Sequence, residues 1–264
     1  MREVSGEDTH AHVAEGIRSL HERLDDLERL IAGRAETAAA AAHEVPAWRR
    51  PTAGEARWQV ALATAVAIAL QVMVPGRLVF VTPNWVLPVV QGALLVALVS
   101  ANPHRINRES RVIRLLSLTL AALLSFANAW SVVRLVDVLV HGGADANKAG
   151  PLLITASAIW LTNVVAFALW YWDFDRGGPV ARAQGANPYP DFQFPQMLSP
   201  DMAPPHWEPA FADYLYLAFT NATAFSPTDV MPLSRWAKMA MTAQSVISLL
   251  TVVLVVARAV NILQ

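Results

Sequence analysis

Between residues 220 and 229 the chain carries a run of oxygen donors: the hydroxyls of Thr220, Thr223, Ser226 and Thr228 and the carboxylate of Asp229, with Phe225 and Pro227 set among them. Oxygens of this kind can replace part of the hydration shell of a cation, which is the chemistry of an ion path rather than of a reaction centre. A second set, Gln244, Ser245, Ser248 and Thr251, recurs at helical spacing and forms one mildly polar stripe on an otherwise apolar segment. Such a stripe suits an inner helix that faces water. It equally suits a contact between helices in lipid, where small and hydroxylated side chains let backbones approach. Thiolate catalysis, disulfides and Cys-based metal sites are excluded, because the chain has no cysteine. Its seven histidines are scattered without the spacing a zinc site requires. There is no Gly-x-Ser-x-Gly elbow, no phosphate-binding glycine loop and no pair of carboxylates placed for acid–base work inside a span, so neither an enzyme nor a cofactor is expected. Asp173 and Asp175 read as the solvated end of a helix, with surface cation binding as their other use.

The segments that hold these groups in place are set by hydropathy. Hydrophobic residues make up 55% of the 264 and charged residues only 16%, whereas soluble domains carry about 25% charged residues. The apolar residues fall in long blocks, and a helix needs roughly 20 of them to cross the ~30 Å hydrocarbon layer. The expected fold is all-α: a polytopic transmembrane bundle in residues 51–264, with spans at about 58–74, 84–101, 112–140, 152–172 and 235–262. A proline-rich loop, 173–208, precedes a short amphipathic segment at 209–224. So many prolines predict neither a helix nor a central strand in that loop. Arg134 and Asp137 are placed for an interfacial i, i+3 pair, Asn163 with Thr162 for a bond to a neighbouring helix, and Trp170, Tyr171 and Trp172 for the headgroup level. No basic cluster interleaved with aromatics appears, so the lipid bilayer is the expected partner and nucleic acid is not.

Residues 1–50 are polar and form a separate soluble region. Within it Val13, Ile17, Leu20, Leu24, Leu27 and Ile31 recur at alternating steps of four and three, the seam of a coiled coil on a helix over about 9–32. Leu30 lies beside the seam and widens the apolar face. The helix either joins copies of the chain into a homo-oligomer or packs its apolar face on the membrane region. No secretory signal peptide is visible, which predicts a cytoplasmic N-terminus.

The order of elements in roughly the last third of the chain resembles the pore module of the tetrameric potassium-channel superfamily: outer helix, pore helix, filter, inner helix. That family's Thr-Thr-Val-Gly-Tyr-Gly-Asp filter, followed by a proline, corresponds here to Thr223-Ala224-Phe225-Ser226-Pro227-Thr228-Asp229-Val230-Met231-Pro232. Thr223, Asp229 and Pro232 fall in register, and Tyr214, Tyr216 and Phe219 match an aromatic cuff on the pore helix. The resemblance implies a re-entrant hairpin, a homo-oligomer (a tetramer) and monovalent cations as the permeant species. Ser226, Pro227 and Thr228 replace the glycines and tyrosine of that filter, and proline fixes φ and removes an N–H. The implied path is therefore wider and weakly selective. Read from the residues alone, 209–234 is also a hairpin that packs the bundle. The chain is similar, too, to an uncharacterised bacterial family of roughly five-span membrane proteins, which implies the bacterial plasma membrane and no particular activity.

Arginines are enriched on the cytoplasmic side of membrane proteins, and both the N-terminal region and the 102–111 loop carry them. Counting spans onward places 141–150 outside and 173–208 inside. A potassium-channel-like pore loop requires 173–208 outside, so the two expectations conflict.

Overall fold

A computed structural model describes residues 18–21, 23–33, 45–106, 110–141, 149–223 and 229–263. The chain divides into two compact units, Met1–Pro46 and Ala47–Gln264. In the first, residues 18–21 and 23–33 are helical, and Leu20, Leu24, Leu27, Leu30 and Ile31 are all exposed. Val13 and Ile17, the first two members of the expected seam, lie outside the described residues.

The second unit is mostly helical. Its six longer helices are α1 (Arg57–Met73), α2 (Val86–Ala101), α3 (Arg111–His141), α4 (Ala149–Phe174), α5 (Phe211–Thr223) and α6 (Arg235–Leu263). Three helical segments, Arg111–His141, Gly150–Gly177 and Arg235–Arg258, are long and apolar enough to cross a membrane, while α1 and α2 are shorter apolar helices. Prolines set two of the ends. Val74 and Asn102 precede Pro75 and Pro103, leave the helical region of φ/ψ and stop α1 and α2.

Helix α4 is the hub. It packs against α1, α3, α5 and α6, α2 lies on α1 and α3, and α5 lies against α6. Two small antiparallel ladders then gather distant segments at one end of the bundle. Glu55–Ala56 pairs with Arg105–Ile106, and Phe192–Gln193 pairs with Met231–Pro232. At that end Thr52 N–H donates to Ala183 O, and Arg114 Nη1 donates to Gly177 O at 2.6 Å.

Two expectations are corrected at this end. The proline-rich stretch is a folded cap, because Pro179, Pro195 and Pro200 each stand in the first turn of a short helix, where a missing N–H costs nothing. Phe192 and Phe194 plug the cap into the core at 0% and 2% exposure. The aromatic end of α4 is also packed largely inside the chain instead of being presented outward. Tyr171 and Trp172 are buried, and the Trp170 indole N–H donates to Ser125 Oγ. Buried indoles and phenols need hydrogen-bond partners, and α3, α6 and Glu55 supply them here. Arg134 Nη1 meets Asp137 Oδ2 at 3.0 Å, the spacing expected of the pair, and Asn163 Nδ2 on α4 donates to Ser248 Oγ on α6, whereas Thr162 bonds its own helix at Ala158 O.

Candidate functional site

Where α4 ends, a strained turn sets the geometry of a buried polar cluster. Arg176 has φ 53°, and Gly177 and Gly178 follow at φ 85° and 102°. This turn folds the chain back so that Arg182, in the short helix Pro179–Ala183, reaches under the end of α4. Arg182 Nη1 donates to the carbonyl of Trp172, one of the acceptors a helix leaves open at its C-terminus, and to that of Asp175, which also accepts from Gly178 N–H. Its Nη2 meets Glu55 Oε1 at 2.9 Å, with both side chains almost wholly buried.

Glu55 uses its other oxygen equally fully. Oε2 accepts from the Trp172 indole at 2.8 Å and from the Phe211 backbone N–H at 3.0 Å. Phe211 opens α5, so a carboxylate that precedes α1 caps the start of α5 and complements its dipole. Asp175 is the second hub: Oδ2 accepts from the Tyr214 hydroxyl and Oδ1 from Asp191 N–H. Asp191 in turn accepts from Arg176 N–H and from the Trp236 indole at the start of α6. Arg176 donates to Asn187 O and Trp48 O, and Trp48 lies against the guanidiniums of both Arg49 and Arg176.

Asp173 and Asp175 are therefore not solvated. They are 5% and 0% exposed, and Asp173 accepts from Ser117 on α3. The sequence does carry a signal: Asp173, Asp175 and Arg176 abut a long apolar run, and ionisable groups in such places are usually turned inward and paired.

Below the cluster, α5 and α6 leave the same end side by side. Asn221, near the foot of α5, donates to Met241 O and to Gln244 Oε1. Gln244 lies nine residues into α6, roughly 14 Å along a helix. It is fully buried, donates to Ala218 O and also accepts from the Tyr171 hydroxyl at 2.7 Å. Ser245 donates to the Asn221 side chain, Ser248 accepts from Asn163, and Thr251 donates to Ile247 O. Three of the four stripe residues, Gln244, Ser245 and Ser248, are thus bonded to α4 or α5 inside one chain, while Thr251 is buried and bonds its own helix.

On α5, the Thr220 hydroxyl donates to Tyr216 O and Leu217 O, and the Thr223 hydroxyl donates to Thr220 O. Asp229 is exposed, two residues before the Met231–Pro232 ladder. Phe225, Ser226, Pro227 and Thr228 lie outside the described residues. A lateral recess of about 660 Å³ opens between α1, α4 and α5, and its walls include the apolar side chains Trp58, Leu62, Val66, Leu161, Val165 and Phe219.

Glu208 sits at the rim of the cluster, where its Oε2 accepts from the Thr52 hydroxyl at 3.0 Å. Partial burial pushes its carboxyl above the usual glutamate range, against the Thr52 hydrogen bond, and the Glu55 charge adds to the rise. A carboxyl raised in the folded state takes up its proton before the unfolded chain does. The fold therefore gains stability as pH falls through the raised value, and the gain is complete below the ordinary value. Glu208→Gln is expected to flatten that slope, measured as the unfolding midpoint in detergent across mildly acid pH. An unchanged slope would show that Glu208 titrates normally.

Comparison with known proteins adds no relative: no family model, no curated protein and no solved structure matches the chain.

Proposed function

We propose that the chain is an integral membrane protein that self-associates through its N-terminal helix and works as a non-conducting scaffold, with 211–234 as a re-entrant hairpin that wedges the bundle. The observation that carries this reading is the Gln244 cluster. Gln244, Ser245 and Ser248, which would line an ion path along α6, are instead bonded to α4 and α5, Thr251 is buried and bonds its own helix, and the outward face of α6 presents Val246, Leu249, Leu250 and Val253.

Membrane insertion is supported by charge spacing. Arg114 and Arg134 on α3, and Lys238 and Arg258 on α6, each enclose a stretch free of charged residues and stand twenty residues apart, roughly 30 Å along a helix and equal to the hydrocarbon thickness. Arg49, Arg57, Arg105, Arg114, Arg182 and Arg235 belong to the segments gathered at one end, which is the cytoplasmic end by the arginine rule. In that orientation the hairpin enters from the cytoplasm, the side opposite to the one that the pore-module resemblance requires. Five spans follow if α1 and α2 also cross, in the bacterial plasma membrane with a cytoplasmic N-terminus.

A second reading, a weakly selective pore for monovalent cations between the subunits of a tetramer, is favoured by one feature. Helices α5 and α6 start from the same end and descend together, with Asp229 exposed near that end, as the pore-module resemblance requires. Purified oligomer in planar bilayers separates the two. Silent membranes are expected. Ohmic currents that Asp229→Ala abolishes, in protein whose size and fold are unchanged, would establish the pore and end the scaffold reading.

A further inference from the structure

An isolated helix of about 16 residues is marginal in water unless an apolar face is covered. The described part of the N-terminal helix leaves Leu20, Leu24, Leu27 and Ile31 more than half exposed. Assigning Leu24 and Ile31 to the a positions and Leu20 and Leu27 to the d positions places Arg23 at g and Glu28 at the following e. In a parallel, in-register pair the g residue of one strand lies beside the next e residue of the other. Arg23 then faces Glu28 of the partner subunit, and two-fold symmetry makes this contact twice.

We propose that the N-terminal helix binds the same helix of a second copy, parallel and in register, with the Arg23–Glu28 pairs fixing the alignment. This rests on the self-association reading and gives it a geometry. Charge complementarity selects the occupant: the surface flanking the seam matches itself when two strands run the same way. The bilayer favours the same arrangement, because copies inserted in one orientation deliver their N-terminal segments to one face. Tethering to that face raises their effective concentration, so a short seam suffices.

The absence of native cysteine makes the test clean, with the full chain in detergent or lipid nanodiscs. Leu20→Cys alone is expected to form a disulfide-linked dimer under mild oxidation, as is Ile31→Cys alone, since each position meets itself across a parallel seam. Arg23→Glu is expected to reduce Leu20→Cys cross-linking several-fold, and adding Glu28→Arg to restore it. Cross-linking only when Leu20→Cys and Ile31→Cys proteins are mixed would overturn the parallel register while leaving self-association standing. A monomeric mass for the well-folded native chain would overturn both.

Discussion

Replacing Arg182 by methionine is expected to lower the unfolding free energy by about 3–5 kcal/mol, the usual cost of removing one partner from a buried ion pair. The loss has three sources. Glu55 keeps a buried charge with its main counter-ion gone, the Trp172 carbonyl loses the Arg182 donor, and the Asp175 carbonyl is left with Gly178 N–H alone. Glu55→Gln should cost less. An amide oxygen can still accept from Phe211 N–H or from the Trp172 indole, but the dipole at the start of α5 loses its charge. The double replacement Glu55→Met with Arg182→Met should recover part of the single-mutant loss, since no charge is then stranded, yet stay below the native chain because four other hydrogen bonds are gone. Titration of folded fraction with a denaturing detergent measures all of these variants. A destabilisation below about 1 kcal/mol for Arg182→Met, the range of an exposed pair, would show that water reaches the cluster.

Gly178→Ala is the second large effect. Gly178 sits at φ 102°, ψ 175°, a region essentially reserved for glycine, and placing another residue there costs of order 1–3 kcal/mol by itself. A Cβ at this position would come within 2.8 Å of Arg114 Nη1 and 2.9 Å of the Asp173 carbonyl. The arginine cannot swing aside without giving up its bond to Gly177 O, and the carbonyl belongs to the backbone at the end of α4. The expected total is about 3 kcal/mol, with the cap loosened from α3 and a rise in protease cleavage over 173–208. Gly76→Ala is the matched control, because no atom lies within 4 Å of its added Cβ, and it should stay within about 0.5 kcal/mol of the native chain. Equal stability of the two variants would mean that the turn after α4 is not held in this conformation.

Much of the helical layout was legible in the sequence. The expected 58–74, 84–101, 112–140 and 209–224 correspond to Arg57–Met73, Val86–Ala101, Arg111–His141 and Phe211–Thr223. Charge-free apolar runs and Pro75 or Pro103 behind them leave little freedom in where such helices stop. The cap was not legible, because its geometry comes from partners far apart in the chain. Glu55 and Arg182 are separated by 127 residues and Glu55 and Phe211 by 156, and no local period encodes either contact. Seven prolines between 173 and 208 suggested irregular chain, when several of them open turns of helix instead. For the candidate site, the spacing of Gln244, Ser245, Ser248 and Thr251 marks one face of α6, on which Gln244, Ser248 and Thr251 are buried. Spacing cannot say whether water or an amide sits opposite that face. The answer depends on Asn163, Tyr171 and Asn221, which lie on two other helices.

The reach of Glu55 has a consequence for biosynthesis. This carboxylate leaves the ribosome long before Arg182, Trp172 and the first amide of α5, so α1 enters its surroundings with an unmatched charge at its head and stays that way for well over a hundred codons. Contacts of such high order form late and slow the acquisition of structure. A nascent chain halted before position 182 should therefore be a substrate for quality-control proteolysis, while one released after α5 has emerged can close the ring of partners around Glu55 and escape it.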